Sequence, residues 1–452
     1  MLRESQIERR YNYMTAGGAP YGQKHSKYLV WLMFSLLALA YLISFFHRLS
    51  LAVVMDYLIV DLQIEEAAMA GALAASYAII YMIMQIPTGF LVDSWGPGRT
   101  VTAGMIVASA GSLIFALAPV LSLAFLGRVL VGLGVSVVFV SVLKFLVNWF
   151  KASQFATMTG LTGLVGNLGV ALGTTPLAVV VVHFGWRQTF VAIAIITLLI
   201  ALGIWLIVRD MPPDNTNRST PSSSAQPSTT FSQLLGALGK VIRNFRTWPL
   251  FASAFGLYGT LFAFTGAWSV TYLMQVYGFE RSLAASYMLV LTAGIIISMP
   301  LTGYLSDRIG RRRLPLLIIF AVYTAVWALF FAWNGGKPPV AALYPLFLIM
   351  GLAGGTSTII LPLTKEVNDP AFAGVALSIV NIGPFAGTAL LQPLMGYMLD
   401  LRWDGLIAGG MKLYPLASYR LLFGVCLITL IVTFLFALFN IKETNCQNIW
   451  DK

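Results

Sequence analysis

The chain has 452 residues, 58% of them hydrophobic and 10% charged, with a mean hydropathy of +0.82 and a net charge of +11. Soluble domains carry about a quarter charged residues, so this composition excludes a chain folded mainly in water. The positive balance alone would admit nucleic acid as a partner, but where the cations fall along the chain argues against it.

A helix needs about 20 mainly apolar residues to span a bilayer core. Residues 1–27 form a polar N-tail of mixed charge with no short apolar core before a small-residue cleavage site, so no cleaved signal peptide is expected. Six apolar segments follow, near 28–54, 67–91, 99–120, 122–149, 155–183 and 187–208, giving a first bundle over 28–208. Residues 209–248 interrupt the pattern: Pro212-Pro213-Asp214 stops the sixth segment, and the Ser-, Thr- and Pro-rich stretch 220–230 has nothing to bury. Lys240, Arg243 and Arg246 then recur every three residues, as on an amphipathic helix at the inner membrane surface. Six more segments, near 249–276, 282–305, 314–333, 340–363, 371–399 and 417–440, make a second bundle over 249–440 before a C-tail at 441–452. No ten-residue alternating pattern suggests a barrel, so the expected fold is all-α, with twelve transmembrane helices in two six-helix bundles.

With the N-terminus inside, nineteen lysines and arginines fall on the inner side and six on the outer, which places both termini in the cytoplasm by the positive-inside rule. That distribution speaks for a multi-pass plasma-membrane protein of bacterial inner-membrane type, lying in lipid and not on nucleic acid. Cys426 falls within the last helix and Cys446 in the C-tail, so neither a disulfide nor a metal site is expected, and no cofactor is implied.

Two stretches repeat each other across the halves. Gly89-Phe-Leu-Val-Asp93-Ser-Trp-Gly96-Pro-Gly-Arg99 recurs as Gly303-Tyr-Leu-Ser-Asp307-Arg-Ile-Gly310-Arg-Arg-Arg313. A charged turn at the same place in two hydrophobic halves is what a duplicated transporter with parallel repeats shows. Glycines at 132 and 134, at 163, 166, 169 and 173, and at 383 and 387 mark close helix packing, and Pro176 and Pro384 mark kinks.

With these motifs the chain resembles the major facilitator superfamily over nearly its whole length. The repeated Gly-x-x-x-Asp-x-x-Gly turns are similar to that superfamily's signature loop, and Gly127-Arg128-Val-Leu-Val-Gly132-Leu-Gly134 to its helix-four motif. A closer resemblance is to the organic-anion branch of anion:cation symporters and sugar-acid and sugar-phosphate permeases. It rests on Phe45-Phe-His47-Arg48-Leu-Ser50, on Lys144-Phe-Leu-Val-Asn148-Trp149-Phe150 and on Phe184-Gly185-Trp186-Arg187. The branch carries acids where this chain has His47 and Val135, and in the resembling proteins those acids carry the coupling proton. The resemblance implies H+ coupling, while the departure at these two positions leaves Na+ open as the alternative.

Ionisable groups at membrane depth are costly and read as functional by default. Arg48, with Tyr41 and Ser44 on its face, is the candidate ligand for a carboxylate or sulfonate, since its planar fork suits a two-oxygen anion; anchoring at the outer interface is the alternative. Lys144 reads either as a second cavity cation or as a side chain snorkelling to the inner surface. Arg128 is assigned a gating or structural role. His47 is the candidate coupling group, because imidazole titrates near neutrality; the alternative is a neutral ring bonded to a helix carbonyl. Tyr81 and Gln85, with Tyr77, share a face of helix two, Trp268 and Tyr272 share one of helix seven near Tyr258 and Thr265, and Asn381 is an isolated amide; these complete the candidate substrate site. Asp93 and Asp307, with Arg99, Arg308 and the run Arg311, Arg312 and Arg313, read as an inner gate latch in which each aspartate caps a neighbouring helix and pairs with arginines.

No lysine or arginine lies at membrane depth in the second half, which suits a monovalent organic anion better than a divalent sugar phosphate. The sequence therefore predicts a secondary transporter, not an enzyme, acting as a monomer by rocker-switch alternating access and moving a small organic anion with H+. The alternatives are an exporter of drugs or apolar metabolites by proton antiport, and a non-transporting sensor on the same fold.

Overall fold

The structure is a computed structural model and describes residues 27–150, 152–211, 231–408 and 411–450. The N-tail, Lys151 and the low-complexity stretch 220–230 lie outside the described residues.

Among the described residues, twelve helices are long and apolar enough to cross a membrane: α1 Tyr28–Asp61, α2 Ala67–Gln85, α3 Pro97–Leu117, α4 Leu121–Trp149, α5 Met158–Phe184, α6 Trp186–Ile207, α7 Phe245–Tyr277, α8 Arg281–Ile309, α9 Arg313–Gly335, α10 Val340–Glu366, α11 Ala373–Leu401 and α12 Leu416–Asn440. Six precede residues 212–230 and six come after. α1 runs seven residues past its predicted end at 54, and the helix of α2 continues to Trp95. Helix is the expected outcome for apolar segments of this length, because the backbone in lipid must satisfy its own bonds within a helix or a closed barrel and these segments carry no barrel pattern. The face carrying the ends of α2, α4 and α6 is called the linker face here.

On the linker face, both repeated turns use glycine where φ is positive, Gly96 at 88° and Gly310 at 68°, a region that costs other residues their Cβ clearance. The helix that each turn starts is capped by a carboxylate from the end of its own half. Asp210, just past α6, accepts from the Gly98 amide at 2.6 Å. Glu443, just past α12, accepts from the amides of Arg312 and Arg313 at 2.8 and 3.0 Å. The duplication seen in the turns thus extends to their caps. Glu443 is partly buried, which alone would raise its pKa. Four backbone N–H groups outweigh that and hold it below the ordinary carboxylate value.

The amphipathic helix Phe231–Arg243 lays Val241 against Ala376 and Ile379 of α11, and leaves Lys240 and Arg243 exposed.

The two groups of helices meet along α1–α7, α2–α11 and α5–α8. On the face away from the linker, α2 and α11 touch backbone to backbone. A Cβ at Gly71 would collide with the Gln392 carbonyl, and one at Gly396 with that of Ala67. Polar bonds cross there too: Arg281 to Asp56 at 3.0 Å, Thr271 to Asp56 at 3.1 Å, and the Ala68 amide to Asp400 at 3.3 Å. On the linker face the described ion pairs, Lys144–Asp93, Arg312–Asp307 and Arg312–Glu366, each close within one half.

Candidate substrate site

A cavity of about 270 Å³ lies between the two groups. From α1 it receives Tyr41, Ser44, Phe45 and Arg48, which fall on one face at helical spacing. α2 adds Tyr77 and Tyr81, and α5 adds Asn167. The second half faces them with Tyr258, Phe262 and Thr265 of α7, Leu291, Ile295 and Met299 of α8, Ile360 of α10, and Asn381 and Phe385 of α11.

Among the described residues, Arg48 is the one charged member of the lining. Its guanidinium carbon lies 3.5 Å from the centroid of Phe262, 5.2 Å from that of Phe385 and 5.7 Å from that of Phe45. Rings over its flat face stabilise the cation while leaving its N–H edge for a ligand. None of the six ion pairs among the described residues includes it.

Several lining groups are already committed to the backbone. Ser44 donates to Ala40 at 2.9 Å, Tyr77 to Ser44 at 3.2 Å, Asn167 to Gly163 at 2.9 Å, Tyr258 to Gly354 at 2.9 Å and Thr265 to Leu261 at 2.7 Å. The polar ends of Tyr41, Tyr81 and Asn381 carry no such bond among the described residues. Of the eight residues predicted for the substrate site, the structure therefore brings four together: Arg48, Tyr41, Tyr81 and Asn381.

The other four lie elsewhere. Lys144 does not line the cavity; it sits within two turns of the end of α4 and reaches Asp93 at 2.8 Å, both side chains being well exposed. Gln85 is one turn beyond Tyr81 toward the linker face, outside the lining. Trp268 and Tyr272 are fully buried in the core of the second half, where Trp268 donates to Gln392 at 3.2 Å and Tyr272 to Gly336 at 2.8 Å. The cause is a π-helical turn over Phe264–Trp268. Its additional residue rotates the remainder of α7, so Tyr258 and Thr265 face the cavity while Trp268 and Tyr272 turn away.

The coupling and gating candidates also separate. His47 is fully buried beside Arg48 in sequence but off its face, and both ring nitrogens lack partners. Its carbonyl accepts from Arg128 Nη1 at 3.2 Å, and Arg128 is held inside the first half, its guanidinium carbon 5.4 Å from the Tyr77 ring centroid. Asp93 binds Lys144 instead of capping α3, which Asp210 does. Asp307 pairs with Arg312 at 2.6 Å, whereas Arg99, Arg308 and Arg311 are exposed and enter none of the described ion pairs. Arg312 is selected because Glu366 at 3.3 Å and Ser306 at 3.0 Å complete its fork.

Sequence reading passed over Phe262 and Phe385, which nothing marks until Arg48 is seen between them. It also left Asp56 out of the candidate residues, although an acid near the end of an apolar helix was a visible signal.

Residues 37–390 match the profile of the Major Facilitator Superfamily. The chain belongs to this superfamily. It is a multi-pass membrane transporter and not an enzyme. It is 27% identical to a hexuronate transporter of Bacillus subtilis over 63% of this chain and 66% of that protein. To a probable sulfoacetate transporter of Cupriavidus necator it is 23% identical, over 82% and 87%. The fold is that of a bacterial homologue of the lysosomal transporter Spinster solved in an inward-facing, unoccupied conformation, with a TM-score of 0.74 at 18% identity, covering 92% of this chain and 97% of that one.

Proposed function

We propose that this transporter carries a small organic anion, a carboxylate or sulfonate, into the cell by proton-coupled alternating access. The observation that carries the reading is Arg48: a cation in a central cavity whose lining includes no carboxylate to neutralise it. An arginine at membrane depth without a counter-ion is costly, so a ligand that supplies the negative charge gains most from this site. Relatives named for hexuronate and sulfoacetate agree with an anionic cargo.

Tyr41, Tyr81 and Asn381 orient the anion against Arg48. The described state is closed on the face away from the linker, by the Arg281–Asp56 pair and the α2–α11 contact. With the linker and termini in the cytoplasm of a bacterial cell, that is the inward-facing member of a rocker-switch cycle in the inner membrane, and Asp93–Lys144 and Asp307–Arg312 belong to the surfaces that meet when the inner side closes. His47 is assigned the coupling proton: an imidazole with two unpartnered nitrogens has most to gain from partners acquired in another state. Na+ coupling is the competing assignment.

The test is uptake by proteoliposomes of labelled sugar acids, small carboxylates and sulfonates, with and without an inward proton gradient and with Na+ varied. Gradient-driven accumulation of an anion supports the reading. Movement of lipophilic cations alone, or accumulation driven only by Na+, refutes the cargo or the coupling respectively.

A further inference from the structure

The cavity is chemically two-sided. Its charge and its uncommitted donors, Arg48, Tyr41 and Tyr81, sit on the first half, while the second half offers Leu291, Ile295, Met299, Ile360 and Phe385 with Asn381 as its one uncommitted amide. The hydroxyls of Tyr258, Thr265 and Ser357 line that wall too, but each already donates to a backbone carbonyl, that of Gly354, Leu261 and Gly354 respectively, and offers a ligand only acceptor capacity. Tyr81 and Phe385 stack across the two halves at 4.3 Å with planes 19° apart, and Phe262 covers the face of Arg48 at 3.5 Å. The anion-binding edge of Arg48 therefore opens onto a wall of rings and aliphatic side chains.

From this arrangement we infer that the cavity selects a monoanion with an apolar body, an aryl or branched-alkyl carboxylate or sulfonate, over polyhydroxylated sugar acids. This rests on the anion reading above and narrows it. A single cation balances a single negative charge, so a second acid group would enter unpaired. A hexuronate brings several hydroxyls to a wall whose polar groups are one free amide and three hydroxyls already bonded to the backbone, and each ligand hydroxyl left unpaired weakens binding on the order of tenfold. An aryl body has no such groups to satisfy and gains contact with Phe385 and Tyr81.

The measurement is titration calorimetry on the purified full-length protein with benzoate, phenylacetate, benzenesulfonate and 4-methylpentanoate, against glucuronate, galacturonate and neutral benzamide. The expected result is that benzoate or phenylacetate binds at least fivefold tighter than either hexuronate and than benzamide. In Phe385→Gln the aryl-to-hexuronate ratio falls at least threefold. The wild-type ranking decides on its own if that variant folds poorly. A hexuronate bound within fivefold of the best aryl anion, or tighter, overturns the apolar-body inference and leaves the anion reading standing. Benzamide bound as well as benzoate, or no anion bound at all, overturns both.

Discussion

Arg281 of α8 binds Asp56 of α1 at 3.0 Å across the two halves, with only 9% and 5% of the two side chains exposed. Nη1 of the same arginine donates to the Val53 carbonyl, and Thr271 of α7 donates to Asp56 at 3.1 Å. Three helices from two halves are thus tied at one point on the face away from the linker. Breaking a buried pair from one side costs about 3–5 kcal/mol, all of it borne by the state in which the halves meet there.

Asp56→Asn should therefore shift the population toward opening on that face. A loss of even about 1.4 kcal/mol from the closed state changes the ratio tenfold. Thiol labelling of a cysteine placed at position 53, whose side chain is buried in the closed state, measures it: labelling from the side away from the linker should rise at least tenfold, and unchanged labelling would show that the pair does not hold the gate.

Backbone contact between α2 and α11 makes a second, independent prediction for the same closure. Gly71→Val and Gly396→Leu place a side chain where the opposing carbonyl stands. Each should slow transport more than tenfold and leave anion binding within about threefold of wild type, because neither residue lines the cavity. The check is transport rate and calorimetric affinity on one preparation.

Lys144 pairs with Asp93 on an exposed surface, where an ion pair is worth about 0–1 kcal/mol. Lys144→Ala should leave the KM for the anion within threefold of wild type. A rise of thirtyfold or more would return this lysine to the substrate site.

Glu443 carries a pH dependence of known sign. Its pKa is lower in the folded protein than the ordinary 4.5, because the amides around it favour the anion over the effect of burial. The stabilisation is complete above pH 4.5 and is lost as pH falls through the lowered folded value. Thermal midpoints of wild type and Glu443→Gln should differ at pH 7, where a charge at a helix start is worth about 0.3–1 kcal/mol, and converge as the pH falls through the lowered folded value. A difference constant with pH would contradict the assignment.

His47→Gln tests the coupling assignment. The variant should retain exchange of anion for anion while losing accumulation driven by a proton gradient; accumulation at the wild-type level would remove His47 from that role.

Helix count, turn motifs and the α1 face were legible because each depends on local spacing: a glycine at positive φ, or Tyr41, Ser44 and Arg48 three or four residues apart, needs no knowledge of the rest of the fold. What failed depended on more than spacing. Trp268 and Tyr272 have the right period for the face of Tyr258, but the π-helical turn between them breaks that period, and no residue in Phe264–Trp268 announces it. Lys144 is balanced between cavity and surface until the position of Asp93 decides it. The capping roles of Asp210 and Glu443 join residues over a hundred positions apart, a distance at which only the packed helices say what meets what. Phe262 and Phe385 are ordinary in a chain with 29 phenylalanines and acquire meaning only from the guanidinium between them.

The central claim is that Arg48 holds the anion, and counterflow measures it with no assumption about the coupling ion. Proteoliposomes loaded with unlabelled benzoate or glucuronate should take up the matching labelled anion through the wild type, at least a hundredfold less through Arg48→Ala, and with partial recovery in Arg48→Lys. Counterflow through Arg48→Ala at the wild-type rate would contradict the account.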